Sequence, residues 1–183
     1  ATIFRYFISG ALGIFLGLTL FSKEILWLFT TEEYYSAATL IIYMIPAILL
    51  TNMYVFFPGI AIVGKTKYIL LINAFGAILN VAFNWALIPL VGLEGAALAT
   101  LLGNLCIFLS YVVLSQSFYS VPHKWRPVLI SIVSISLLAI IGVSWKFEQV
   151  IIAIIIKASL IVCGVVIIAL SGLVSFKEIK KGY

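Results

Sequence analysis

Charged residues are scarce in this chain of 183 residues, and aspartate is absent altogether. Only 9% of the residues are charged, whereas 64% are hydrophobic. A soluble domain carries about 25% charged and about 45–50% apolar residues. So few charges cannot cover the surface of a water-soluble globule. The composition therefore predicts an integral membrane protein.

The residue types that build most catalytic and metal sites are equally few. The acidic residues are six glutamates, and none falls inside a predicted membrane span, so we expect no proton or sodium site built on an intramembrane carboxylate. The single histidine, His123, can form neither a metal cluster nor a catalytic triad. Both cysteines fall in apolar runs, which indicates buried thiols rather than disulfides. We predict that the protein is not an enzyme and uses no cofactor or metal.

Apolar runs of about 20 residues, by contrast, recur six times along the chain. We predict transmembrane helices at 3–21, 39–63, 68–90, 95–117, 127–145 and 150–174. Each is long enough to cross a hydrocarbon core of about 30 Å. The runs are continuous, whereas the strands of a membrane barrel alternate in hydropathy. The sequence thus predicts an all-α fold, a polytopic membrane helical bundle with six transmembrane helices.

The basic residues are distributed unevenly between the two sides of this bundle. One side holds eight of the eleven lysines and arginines, at positions 5, 65, 67, 124, 126, 177, 180 and 181. The other side holds only Lys23 and Lys146, and Lys157 lies within a span. By the positive-inside rule, the richer side is cytoplasmic. We therefore predict a multi-pass protein of the cell membrane (the inner or cytoplasmic membrane) with both chain ends in the cytoplasm. The short basic clusters do not indicate nucleic-acid binding.

Two polar features inside the spans are candidates for substrate contact. Asn73, Asn80 and Asn84 lie within about 40° of one another on the third span, because they are spaced by seven and four residues. Their amides either pack helices together, at about 0.6 kcal/mol per bond, or line a cavity for a hydroxyl-rich substrate. Lys157 is the only charge deep in a span. It either contacts an anion such as a lipid diphosphate or extends its ammonium to the outer interface.

Small residues and prolines are candidates for packing and bending. Small residues at four-residue intervals let helix backbones approach closely, and they are Ser9, Gly13 and Gly17 in the first span and Gly95, Ala99 and Gly103 in the fourth. Pro46 and Pro58 lie in the second span. Proline removes a backbone donor and bends a helix, so we predict a kink that acts either as a plain bend or as a gating hinge.

Three motifs follow one another between residues 64 and 104. They are a GK-x-K hinge (Gly64, Lys65, Lys67), an N-x-x-x-N…IP segment (Asn80, Asn84, Ile88, Pro89) and a G-x-x-GAA-x-AT helix start (Gly92, Gly95, Ala96, Ala97, Ala99, Thr100). This run resembles the C-terminal part of the oligosaccharide flippases. These are the polysaccharide biosynthesis and O-antigen exporters of the multidrug/oligosaccharidyl-lipid/polysaccharide superfamily. The resemblance covers about residues 25–117.

The resemblance implies a layout and a function. Residues 1–117 would be the last four helices of the second transporter lobe, 118–126 a cytoplasmic loop, 127–176 an extra helix pair and 177–183 a basic cytoplasmic tail. The chain would then be a C-terminal fragment whose partners include the upstream transporter half and the lipid bilayer. The full protein would flip a polyprenyl-linked oligosaccharide by alternating access, for polysaccharide or O-antigen biosynthesis, alongside polysaccharide assembly enzymes.

Two other functions fit the same composition. A multidrug/cation antiporter of the same fold would need an intramembrane carboxylate, and these 183 residues place none within a predicted span. The other is a non-transporting membrane scaffold for polysaccharide assembly, which would gain support if these 183 residues were the complete natural chain.

Overall fold

The computed structural model describes residues 2–145 and 150–173. The described residues form α-helices, short 3₁₀ segments and connections, and no strand. The helices are α1 (Thr2–Leu20), α2 (Ser22–Phe29), α3 (Ile41–Asn52), α4 (Gly59–Ile62), α5 (Lys67–Val91), α6 (Leu93–Phe118), α7 (Trp125–Ser144) and α8 (Val150–Leu170). Six helical segments are long and apolar enough to cross a membrane. The prediction of an all-α bundle with six spans is confirmed, and the predicted end at 174 and the basic tail at 177–183 lie outside the described residues.

The chain forms two compact units. Unit 2 is contiguous and comprises residues 36–122, whereas unit 1 combines residues 1–35 with residues 123–183. This grouping differs from the division at residue 117 that the sequence predicts, because it joins the first helix to the last two. The reason lies in the packing of α1.

In unit 1, α1 packs directly against α7 and α8. Leu20 of α1 contacts Gly142 of α7, and Leu16 contacts Gly164 of α8 so closely that a Cβ at either glycine would overlap the leucine. Ile135 of α7 is completely buried. Interlocking of leucines with glycines lets the three helices approach closely.

Arg5 joins the beginning of α1 to the end of α8. Its Nε donates to the carbonyl of Leu173 at 3.0 Å, and its Nη2 donates to the carbonyl of Gly172 at 2.6 Å. A guanidinium at this place satisfies carbonyls that the helix end leaves free and opposes the negative end of the helix dipole. Arg5 is thus buried rather than exposed in an aqueous interface, and the two ends of unit 1 lie side by side.

In unit 2, α5 and α6 form a hairpin with a single connecting residue. Gly92 has φ +62° and ψ −133°, a conformation that an L side chain rarely adopts. Close approach continues along the hairpin, because Gly95 lies against the backbone of Leu87 and Gly76 lies against Ile107. Ala99 is completely buried. The motif residues 92, 95 and 99 therefore turn and pack this pair.

The second span is interrupted rather than simply kinked. A 3₁₀ segment, Glu32–Leu40, leads into α3, which contains Pro46. A second 3₁₀ segment, Met53–Phe56, ends the helix, and Pro58 stands immediately before the short helix α4. Proline cannot donate to the preceding turn, so Pro58 begins a new helix instead of bending a continuous one.

Candidate substrate cavity

A cavity of about 500 Å³ lies beside this interruption in unit 2. Its polar lining comes from Thr51, Tyr54, Asn73, Asn104 and Tyr111. The rest of the lining is apolar or aromatic, and no lining residue that the structure describes carries a charge. The cavity therefore offers neutral donors and acceptors among apolar walls, as ligand pockets commonly do.

A hydrogen bond and a close backbone contact, both at Gly59, hold the interruption against α6. The backbone N–H of Gly59 donates to Oγ of Ser115 at 2.8 Å, in a buried position. A Cβ at Gly59 would overlap the backbone carbonyl of Ser115. Irregular backbone at membrane depth is tolerated only where protein buries it or where it lines a cavity. At this break Phe57 and Gly59 are buried, and Tyr54 and Pro58 line the cavity.

Asn104 connects α6 to α3. Its Nδ2 donates to the carbonyl of Ala47 and to Oγ1 of Thr51, each at 2.9 Å. Thr51 Oγ1 itself donates to the same carbonyl. The amide thus holds the last turns of α3 in place just before the break, and it positions Thr51 at the cavity.

Aromatic rings from the interruption and from α6 also line the cavity. Tyr54 and Tyr111 have ring centroids 5.7 Å apart, and Phe57 and Phe108 meet edge to face at 5.6 Å. Asn73 is the amide that neighbours the Tyr111 hydroxyl. Ring faces pack against C–H surfaces, while the amide and hydroxyl groups donate and accept hydrogen bonds. This combination suits a ligand with many hydroxyl groups on an apolar ring.

The structure separates the three asparagines of α5. Asn73 lines the cavity. Asn84 Nδ2 donates to the backbone carbonyl of Asn80 at 2.8 Å and to its side-chain Oδ1 at 2.9 Å. Asn80 also lies against Gly103, where an added Cβ would be 3.2 Å from its amide nitrogen. Asn80 thus takes part in the packing of α5 on α6, whereas the hydrogen bonds of Asn84 stay within α5. Substrate contact stays a prediction, and Asn73 is the one of the three that lines this cavity.

Lys157 lies in unit 1, where it pairs with a glutamate that the sequence places in a connection. Its Nζ forms an ion pair with Oε1 of Glu24 on α2. Lys157 is only 8% exposed. A carboxylate therefore does stand next to the intramembrane lysine, although α2 is not one of the spans.

The remaining candidates occupy different surroundings. Pro58 lines the cavity. Pro46 does not, and it lies in α3 about one helical turn before the first lining residue, Leu50. Among the residues that the structure describes, nothing lies within 4 Å of a Cβ placed at Gly13 or Gly17. Packing through that face of α1 stays a prediction.

Four of the polar cavity residues were not singled out from the sequence. They are Thr51, Tyr54, Asn104 and Tyr111. A signal was present in α6, because Asn104, Tyr111 and Ser115 repeat the spacing of seven and four that marks the asparagines of α5. Residues at this spacing share one helix face. No family model, curated protein or solved structure matches the chain.

Proposed function

We propose that this protein flips a lipid-linked oligosaccharide across the cell membrane by alternating access, and that the cavity of unit 2 contacts the sugar on its path. The observation that carries this proposal is the neutral, hydrogen-bonding lining of a cavity of about 500 Å³ at the interruption of a membrane span. The motifs between residues 64 and 104 support the same family of transporters. Both chain ends are proposed to face the cytoplasm.

The lining matches the physical problem of moving a sugar through hydrocarbon. A hydroxyl group transferred from water to an alkane without a partner costs about 4–8 kcal/mol. Amides and hydroxyls such as those of Asn73, Asn104 and Tyr111 replace the lost water partners. A cationic drug would instead need a carboxylate, and the described lining residues include none. The cavity therefore favours a neutral sugar over the substrate of a cation antiporter.

The interruption of the second span is a place where a change in backbone conformation can alter the cavity. Broken helices in transporters lie at substrate sites near the middle of the membrane. Here Tyr54, Phe57 and Pro58 of the break line the cavity, so a change in the backbone at the break alters the lining directly. We propose Pro58 and Gly59 as the hinge of this segment.

The test is transport by the complete natural gene product in its own host. Deleting the gene is expected to leave lipid-linked oligosaccharide in the cytoplasmic leaflet, measured by its accessibility to a membrane-impermeant glycosidase. Tyr111→Phe removes one hydroxyl and keeps the ring, so we expect export to slow by about two- to tenfold, as for one lost hydrogen bond. Asn73→Leu is expected to act in the same direction.

Tyr119→Phe is the matched control, because Tyr119 is exposed beyond the end of α6 and does not line the cavity. It is expected to export at the wild-type rate. An unchanged leaflet distribution after gene deletion would defeat the flippase proposal. Normal export by Tyr111→Phe and Asn73→Leu at normal protein levels would remove this cavity from the path.

A further inference from the structure

Unit 1 contains a second cavity, of about 310 Å³, around the Lys157–Glu24 ion pair. Thr19 of α1 lines it as well and is only 2% exposed. Within the described part of the chain, neither Oγ1 of Thr19 nor Oε2 of Glu24 has a hydrogen-bond partner, and both atoms are buried. Buried polar atoms are nearly always hydrogen-bonded, so these two call for an explanation.

The groups that face this cavity offer donors and an acceptor side by side. The ammonium of Lys157 has three N–H donors, and Glu24 Oε1 accepts a hydrogen bond from it. Glu24 Oε2 is an acceptor that requires a donor, and Thr19 can serve as either. A ligand that satisfies all of them must itself carry both an acceptor and a donor.

The size of the cavity indicates more than a bridging water. One water occupies about 30 Å³ in the liquid, so this cavity corresponds to about ten of them. Its walls also include the apolar side chains of Leu20, Val143 and Ala153, and Trp145 lines it near the end of α7. Lys23, which is exposed, contributes a second cation. Two cations and one carboxylate thus face a space with apolar walls in a membrane-spanning unit.

We propose that this cavity binds the headgroup of a phospholipid that carries both a phosphate and a primary ammonium, as phosphatidylethanolamine does. The phosphate accepts hydrogen bonds from Lys157 and from the hydroxyl of Thr19, with Lys23 adding positive charge. The primary ammonium donates to Oε2 of Glu24. The apolar side chains of Leu20, Val143 and Ala153 offer a contact surface for the acyl part of the lipid. This inference goes beyond the proposed function and depends on unit 1 alone.

The number of N–H groups on the lipid nitrogen supplies the test. The full protein is placed in nanodiscs with phosphatidylethanolamine, phosphatidylcholine or phosphatidylglycerol of identical acyl chains, and retained lipid is measured by native mass spectrometry. Phosphatidylcholine has a quaternary nitrogen without an N–H donor. We therefore expect phosphatidylethanolamine to be retained about tenfold more strongly than phosphatidylcholine.

Variants assign the preference to named atoms. Glu24→Gln is expected to reduce the preference for the primary ammonium severalfold while phosphate-dependent retention persists. Thr19→Val breaks no hydrogen bond to a described residue, so it should fold normally and weaken retention of both lipids. Thr100→Val is the matched control, because the Thr100 hydroxyl bonds to Ala96 within α6, and it should change nothing.

Three results would overturn the inference. The first is equal retention of phosphatidylethanolamine and phosphatidylcholine. The second is a preference for phosphatidylglycerol that Glu24→Gln leaves unchanged, which indicates a simple anion site. The third is binding of soluble phosphoethanolamine as tight as that of the lipid, which indicates a water-soluble ligand. Asn73→Leu in the other unit should leave lipid retention intact, so failure of the proposed transport function stays distinguishable from failure here.

Discussion

Replacing Glu24 with leucine would leave the ammonium of Lys157 buried without its partner. Removing one member of a buried ion pair typically costs about 3–5 kcal/mol. The Glu24 side chain is 36% exposed whereas that of Lys157 is 10% exposed, so water screens part of the interaction. We therefore expect Glu24→Leu to lower the free energy of unfolding by about 2–3 kcal/mol. An unpaired lysine at the centre of a helix costs a similar amount, about 2.5–3.5 kcal/mol, on insertion scales.

The reverse substitution is expected to cost much less. Lys157→Leu leaves a partly exposed carboxylate that can turn toward water, so the loss should be about 1 kcal/mol or less. The double variant replaces both charges with apolar groups and should be close to wild type in stability. The coupling energy of the cycle is then about 2–4 kcal/mol in magnitude, well above the error of about 0.5 kcal/mol for independent sites.

Reversible unfolding in mixed micelles, followed by circular dichroism, measures these four free energies. Lys23→Leu is the control, because Lys23 is an exposed neighbour of Glu24, and a surface substitution of this kind stays within about 0.5 kcal/mol. A coupling energy indistinguishable from zero would show that Lys157 reaches the aqueous interface on its own. The interpretation of Lys157 as a snorkelling side chain would then stand, and the ion pair would contribute nothing.

Two further predictions concern unit 2. Gly92→Ala should lower the free energy of unfolding by about 1–3 kcal/mol, because the backbone at φ +62° strains an L residue. The control is Gly10→Ala, at an exposed helical position of α1 where no described atom lies within 4 Å of the new Cβ; it should be neutral or stabilising. Equal effects of the two substitutions would refute the strain argument. Asn104→Leu removes two hydrogen bonds between α6 and α3, so it should lower the free energy of unfolding by about 1 kcal/mol in total, at about 0.6 kcal/mol per bond. Asn52→Leu loses only a bond within its own helix and should cost less. A larger loss of stability for Asn52→Leu would contradict the proposal that Asn104 holds α3 in place.

The positions of the six spans follow from the sequence, because each depends only on a continuous apolar run. Predicted bounds such as 68–90 for α5 fall within one or two residues of the observed helix, Lys67–Val91. The turn at Gly92 and the packing of Gly95 and Ala99 also follow from local patterns of small residues. These features are short-range, so a single sequence contains the information that specifies them.

The features that depend on distant residues could not be predicted in this way. Glu24 and Lys157 are 133 residues apart, and nothing in either local sequence specifies the other. The α-helix changes to a 3₁₀ segment at Met53–Phe56, before Pro58 rather than at it. After the break, Ser115 of another helix accepts a hydrogen bond from the N–H of Gly59, a contact that the local sequence does not specify. The cavity positions of Thr51 and Tyr54 could not be predicted for the same reason, since these residues line a cavity only when the second span and α6 are brought together.

The hydrogen bonds of Arg5 have a consequence for the order in which the protein assembles. Its guanidinium binds carbonyls 167 and 168 residues later in the chain. At a synthesis rate of about 5–20 residues per second, that interval lasts on the order of ten to thirty seconds. Unit 2, which is contiguous, is synthesised completely within this interval. The two hydrogen bonds between the beginning of α1 and the end of α8 can therefore form only after all of unit 2 has been synthesised.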